Sequence, residues 1–147
     1  MTAEIFADTG ERLTQALVTG EFELYRQAMD LPIEIIPRTG KPRVLQDIDD
    51  LTEDFGIYRQ TITLWKVTDI YRKPLSIRHL ADGLLEVTCE MHIMADGTRI
   101  VDPFTSIMTL RHTEEGWKFC RIHSSLGHIN WTFGQADISD SGSFTHR

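Results

Sequence analysis

A few side chains in this sequence have the types and positions for proton-transfer chemistry: Tyr25, Arg78, Asp102, Arg121, His123 and the serines Ser106 and Ser125. Each falls where its neighbours are apolar. An apolar surround raises the pKa of a carboxylic acid and lowers that of a histidine by desolvation. Asp102 is thus placed to act as a general base or neutral acid, and His123 as its counterpart. Tyr25 would donate its hydroxyl to a developing oxyanion, and Arg121 would anchor an anionic substrate group. Plainer readings stand beside these. Asp102 and Arg121 also suit a structural ion pair, His123 a satisfied strand histidine, Arg78 a solvated strand end, and Tyr25 the core stripe it shares with Phe22 and Met29.

The elements that must position these residues are legible from period and punctuation. Asp8 with Glu11 three residues on reads as a capping box, followed by Leu13, Ala16 and Leu17 at helical spacing until Gly20. A second short helix carries Phe22, Tyr25 and Met29 on one stripe, and Pro32 stops it after Leu31. Ile33, Ile35 and Ile36 form a short strand that turns through Arg38-Thr39-Gly40-Lys41-Pro42 into Arg43-Val44-Leu45. Asp47 caps the third and longest helix, along which Ile48, Leu51, Phe55, Tyr58, Ile62 and Trp65 recur at three- and four-residue steps.

From Asp69 the period changes to two. Strands are expected over 70–80, 84–94, 99–110 and 117–126, joined at Asp82-Gly83, Asp96-Gly97 and Thr113-Glu114-Glu115-Gly116. Asp-Gly between alternating apolar residues is the strongest short-range hairpin signal, and two-residue loops fix the register: Ala81 faces Leu84 and Ala95 faces Thr98. One face then carries Arg78, Leu80, Leu85, Val87, Cys89, Met91, Ile93, Asp102, Phe104, Ser106, Met108, Leu110, Trp117, Phe119, Arg121 and His123. The other carries Ile77, His79, Glu86, Glu90, His92, Val101, Thr105, Ile107, Cys120 and Ile122, with His79 set against Glu86 as an ion pair. The first, apolar face is expected to bury itself on the third helix. Pro103 cannot donate to a ladder, so a bulge is expected near Asp102. A pocket lined by Tyr25, Met29, Tyr58, Phe104, Trp117, Arg121 and His123, with Asp102 at its wall, follows from these two periods.

Composition narrows the function classes. With 15 basic and 22 acidic residues the net charge is −7, and no Lys/Arg cluster offers a surface for nucleic acid or an anionic membrane. No apolar run reaches the ~18 residues of a membrane span, and the acidic start lacks the form of a signal peptide, so a cytoplasmic protein is expected. Cys89 and Cys120 read as small buried apolar residues. No HExxH, facial triad, Cys/His cluster, GxGxxG, phosphate loop or GxSxG elbow is present, so no metal and no cofactor are expected.

Residues 4–126 resemble the nuclear transport factor 2-like superfamily, through Ala95-Asp96-Gly97 leading to Val101-Asp102-Pro103 and Gly116-Trp117-Lys118 leading to His123-Ser124. That group includes the SnoaL-like polyketide cyclases, ketosteroid isomerase, scytalone dehydratase and the kinase association domain. The resemblance implies an α+β, cystatin-like cone, in which N-terminal helices pack on a strongly curved, mostly antiparallel sheet around a small-molecule pocket. It also implies a homodimer through the outer sheet face, here around Val101, Thr105, Ile107, Cys120, Ile122 and Leu126. Residues 127–147 read as an extended or partly disordered tail. Three function classes stay open: an isomerase, cyclase, dehydratase or hydrolase acting on a small, mostly apolar ligand; a non-catalytic ligand-binding or interaction module; and the structural small subunit of a ring-hydroxylating oxygenase.

Overall fold

Gly20 ends the first helix, and a side chain from a distant element caps that end. The computed structural model describes residues 2–37, 41–124, 136–138 and 144–146. Helix α1 spans Thr2–Thr19, longer than the Asp8 start expected, and Asp8 lies within it. Gly20 then takes φ +81°, and Arg59 of α3 (Ile48–Trp65) donates Nη1 to the terminal carbonyls of Leu17 and Val18 at 2.7 and 3.0 Å. A Cβ at Gly20 would lie 3.0 Å from Arg59 Nε. Both strain in the left-handed region and displacement of the arginine oppose any side chain there. Gly20→Ala is expected to lower stability by about 1–2 kcal/mol, visible as a lower urea midpoint with an unchanged slope.

The short helix α2 (Phe22–Ala28) gives way at Met29 to strand β1 (Met29–Pro37), which forms the expected hairpin with β2 (Arg43–Leu45). The turn residues 38–40 lie outside the described residues. Asp47 caps α3 as its spacing demands, accepting the Asp50 amide at 2.9 Å. Then come β3 (Asp69–Ala81), β4 (Leu84–Ala95), β5 (Thr98–Arg99), β6 (Phe104–Thr113) and β7 (Gly116–Ser124). Asp-Gly turns join β3 to β4 and β4 to β5, with Ala81 opposite Leu84 and Ala95 opposite Thr98. The expected third long strand is broken. Ile100 still donates its amide to the Ile93 carbonyl at 3.0 Å, residues 101–103 leave the ladder, and Pro103 opens the way to a separate β6 in place of a bulge.

The sheet is seven-stranded, with order β2-β1-β7-β6-β4-β3 and β5 at the edge of β4. One junction is parallel, between β1 and β7, so the sheet is mixed. Its inner face carries Leu85, Val87, Cys89, Met91 and Ile93 of β4 with Phe104, Ser106, Met108 and Leu110 of β6, all buried. Glu86 and Glu90 point away from the helices, as the register requires: Glu86 pairs with Arg78 at 3.3 Å and Glu90 with His92 at 2.8 Å. The register slip in β3 at Leu80 turns Arg78 to the outer face and Ile77 to the core, which makes Arg78, and not His79, the partner of Glu86; a second slip follows at Leu75. The helix seated on the sheet is α1, whose Phe6 meets Phe119 of β7 edge to face at 6.4 Å. Helix α3 packs on α1 and α2 and faces the sheet across a gap.

Within the expected tail, 136–138 and 144–146 pair as a two-stranded antiparallel ribbon, β8 (Ala136–Ile138) with β9 (Phe144–His146). The described part of the tail is strand, while Ser125, Leu126, 127–135 and 139–143 lie outside the described residues.

Candidate functional site

The gap between α3 and the sheet is a cavity of about 70 Å³. Its floor comes from the sheet: Met91 and Ile93 of β4, Phe104, Ser106 and Met108 of β6, Ile122 of β7 and Ile70 of β3. The helices supply the roof through Leu13, Leu17, Tyr25 and Tyr58. Period two and period 3.6 aim these residues at one space, as the spacing implies.

One end of the cavity is polar. Asp54 of α3 is only 2% exposed, and its Oδ2 accepts the Tyr25 hydroxyl at 2.7 Å while Arg43 of β2 donates Nη2 to its Oδ1 at 2.5 Å. The chain of contacts Arg43–Asp54–Tyr25 ties the β1–β2 hairpin, α3 and α2 together. The Tyr25 ring also packs at 4.8 Å, tilted, against Phe55, which meets Phe22 at 5.4 Å. Burial, reinforced by the Asp54 charge, raises the Tyr25 hydroxyl well above the usual phenol pKa, and the same causes raise Tyr58. Both stay protonated donors throughout the physiological range.

A second polar group enters from β3. Arg72 shares the cavity wall, donating Nη1 to the Gly10 carbonyl at 3.0 Å and to Thr14 Oγ1 at 2.6 Å. Burial lowers its pKa.

The expected site residues divide into two groups. Tyr25, Met29, Tyr58 and Phe104 line this cavity together. Trp117 shares the inner face but sits at the far end of β7, where its ring packs on His112 at 5.2 Å. Arg121 and His123 are exposed on the outer face, a correction to the alternation expected through β7. The cause is one extra residue: Leu110 faces Phe119 and Thr109 faces Arg121, which leaves Cys120 without an opposite number. This bulge turns Ile122 into the cavity and Arg121 out, where its Nε reaches Glu34 of β1 at 3.0 Å. Ile122 therefore also leaves the outer-face set expected for a dimer. Asp102, in the break before β6, is exposed and outside the cavity wall.

Asp54, Arg43 and Arg72 were not anticipated. A signal for Asp54 existed in the helical spacing, since it follows Leu51 by three residues and precedes Tyr58 by four on the apolar stripe. Arg72 alternates with Ile70 in the same way along β3. No group of three or more His, Cys, Asp or Glu arranged for a metal occurs among the described residues.

No protein-family model matches the chain, and no curated protein matches it. Solved structures do. An NTF-2 like protein of unknown function from Shewanella oneidensis superposes with a TM-score of 0.64 at 13% identity, over 84% of this chain and 98% of that one. The chain has the NTF2-like fold. A candidate ketosteroid isomerase from Shewanella frigidimarina shares this NTF2-like architecture at a TM-score of 0.61 and 18% identity, covering 80% of this chain and 92% of its own. A domain of unknown function with a cystatin-like fold from Nostoc punctiforme matches at 0.60 and 15% identity, over 84% and 77%. At these identities the NTF2-like likeness speaks for the fold, and function must be argued from the site. No described helix is long and apolar enough to cross a membrane.

Proposed function

We propose that this NTF2-like chain binds a small, mostly apolar molecule in the cavity between α3 and the sheet. The observation that carries the reading is the wall itself: aliphatic, methionine and aromatic side chains on nearly every side, with a few convergent polar groups from Asp54, Tyr25, Tyr58 and Arg72. An apolar cavity of this form is the usual small-ligand site. The volume of about 70 Å³ is several times what one water requires and about half that of an apolar cavity known to hold benzene, ~150 Å³. Met29, Met91 and Met108 in the wall are unbranched and re-pack readily, so a ring-sized ligand enters by moving them. The residents that suit it carry few heavy atoms.

Proton transfer on such a ligand is a second reading, favoured by the burial of Asp54 beside Tyr25 and by the likeness to a candidate ketosteroid isomerase. Holding is better supported than turnover. The Tyr25 proton is already committed to Asp54, and Arg43 donates to the other oxygen of the same carboxylate. The ring-oxygenase subunit reading has no separate observation in its favour. Self-association through the outer face around Thr105 and Ile107 is part of the proposal, and a cytoplasmic setting suits it.

A thermal-shift series with small ketones, alcohols and acids tests the binding. Compounds that enter the cavity are expected to raise Tm, by analogy with ~2.7 kcal/mol at a hundredfold excess over Kd, and Met108→Trp is expected to abolish the rise by filling the space. Asp102→Asn and His123→Ala are expected to leave it unchanged. A Tm rise that survives Met108→Trp, or that vanishes in Asp102→Asn, would place the ligand elsewhere.

A further inference from the structure

The charges at the cavity do not balance. Asp54 has Arg43 as its counter-ion, with Nη2 at 2.5 Å from Oδ1. Arg72 has none: among the described residues no carboxylate lies within ion-pair reach of it, and its contacts are the Gly10 carbonyl and the Thr14 hydroxyl, both neutral. Glu11 and Asp69 act on it only through space, from the surface side. Its Nε is buried and, among the described residues, has no hydrogen-bond partner. A guanidinium presents five donors in a rigid fork, and leaving one dry and unpaired is costly. Arg72 also stands between two spaces. It lines the inner cavity and, with Ile70, a cleft of about 140 Å³ between α1 and β3 whose wall includes Phe6, Gly10 and the carboxylates Glu11 and Asp69.

We propose that Arg72 anchors an anionic group, so that the ligand is a small apolar acid: a short hydrocarbon bearing one carboxylate. The inference rests on the pocket reading above and sharpens it. A carboxylate on Arg72 would supply both the missing counter-charge and an acceptor for Nε, while its hydrocarbon part lay against Met91, Phe104 and Met108. Arg121, the arginine first expected in this role, is exposed and paired to Glu34 and leaves the role open to Arg72.

The test is titration calorimetry with isobutyrate against isobutyramide, and benzoate against benzamide, on the unaltered protein and on R72M. Each pair matches in shape and differs in charge. The acid is expected to bind roughly 10- to 100-fold more tightly than its amide, the range of one charge-assisted hydrogen-bond set, and R72M should erase that preference while amide binding persists. Amides binding as well as acids, or an acid preference that survives R72M, would overturn the anchor but leave the pocket standing. Binding of neither acid nor amide would remove the pocket reading as well. If R72M does not fold, the Arg72 Nε–H resonance in the unaltered protein decides: a shift on adding isobutyrate and none with isobutyramide is expected, and an unmoved resonance overturns the proposal.

Discussion

Asp54→Ala is expected to lower the stability of the folded chain by about 3–5 kcal/mol, the usual cost of removing one partner of a buried ion pair. The substitution strands two groups at once. The Tyr25 hydroxyl, on a residue 1% exposed, loses its acceptor, and the Arg43 guanidinium loses its counter-ion. Because these partners come from α2 and the β1–β2 hairpin, the loss is spread over the whole wall at that end of the cavity. Urea unfolding gives the number, and a double-mutant cycle with Tyr25→Phe separates the tyrosine share from the arginine share. A loss under about 1 kcal/mol, the size of an exposed pair, would mean that Asp54 is wetter than the structure shows. Asp54→Asn keeps the volume and is expected to fall between the two, since an amide still accepts from Tyr25 but cannot match the Arg43 charge.

Raising the pH is the second large effect. Burial pushes the Cys89 thiol from 9.0 up to about 11, and the Tyr25 and Tyr58 hydroxyls are raised as well. All three hold their protons more tightly when folded. Their contribution is therefore intact below the ordinary thiol pKa, and it is lost as the pH climbs, because the unfolded chain releases its protons first. For Cys89 alone a two-unit difference corresponds to about 2–3 kcal/mol by the time the folded pKa is reached, and the tyrosines add to the decline above the ordinary phenol value. The expected record is a stability that falls steeply from about pH 9 to pH 11, with phenolate absorbance from two of the three tyrosines appearing together with unfolding. Cys89→Ala should flatten the first part of that decline. A stability constant over this interval would contradict the burial of all three groups.

Local signals in the sequence carried most of the architecture. The Asp47 cap, the Asp-Gly turns and the alternation in β4 each depend on residues within a few positions of one another, and each is realised, although the register implied by the first turn holds in β3 only as far as Ala81. What was not legible depends on distance or on a single extra residue. The parallel pairing of β1 with β7 joins segments about ninety residues apart and leaves no local mark. The division of the expected 99–110 strand into β5 and β6 was half visible, since Pro103 announced a defect but not its kind. At the site, Tyr25, Met29, Tyr58 and Phe104 were accessible to period counting alone. Asp54 and Arg72 were on the same counts and were hidden by their polarity, since a stripe is read by its apolar members.

The extra residue at Cys120 has a consequence for comparing this chain with other proteins of the same fold. At 13–18% identity, sequences can be aligned only through their pattern of inward and outward positions. A relative lacking the bulge would have one residue fewer between the partners of Leu110 and Thr109, yet would present the same side chains to its cavity. An alignment that opens no gap there sets Arg121 and His123 against a relative's pocket residues and Ile122 against its surface. Catalytic or binding assignments transferred across β7 without that gap would fall on the wrong face of the sheet.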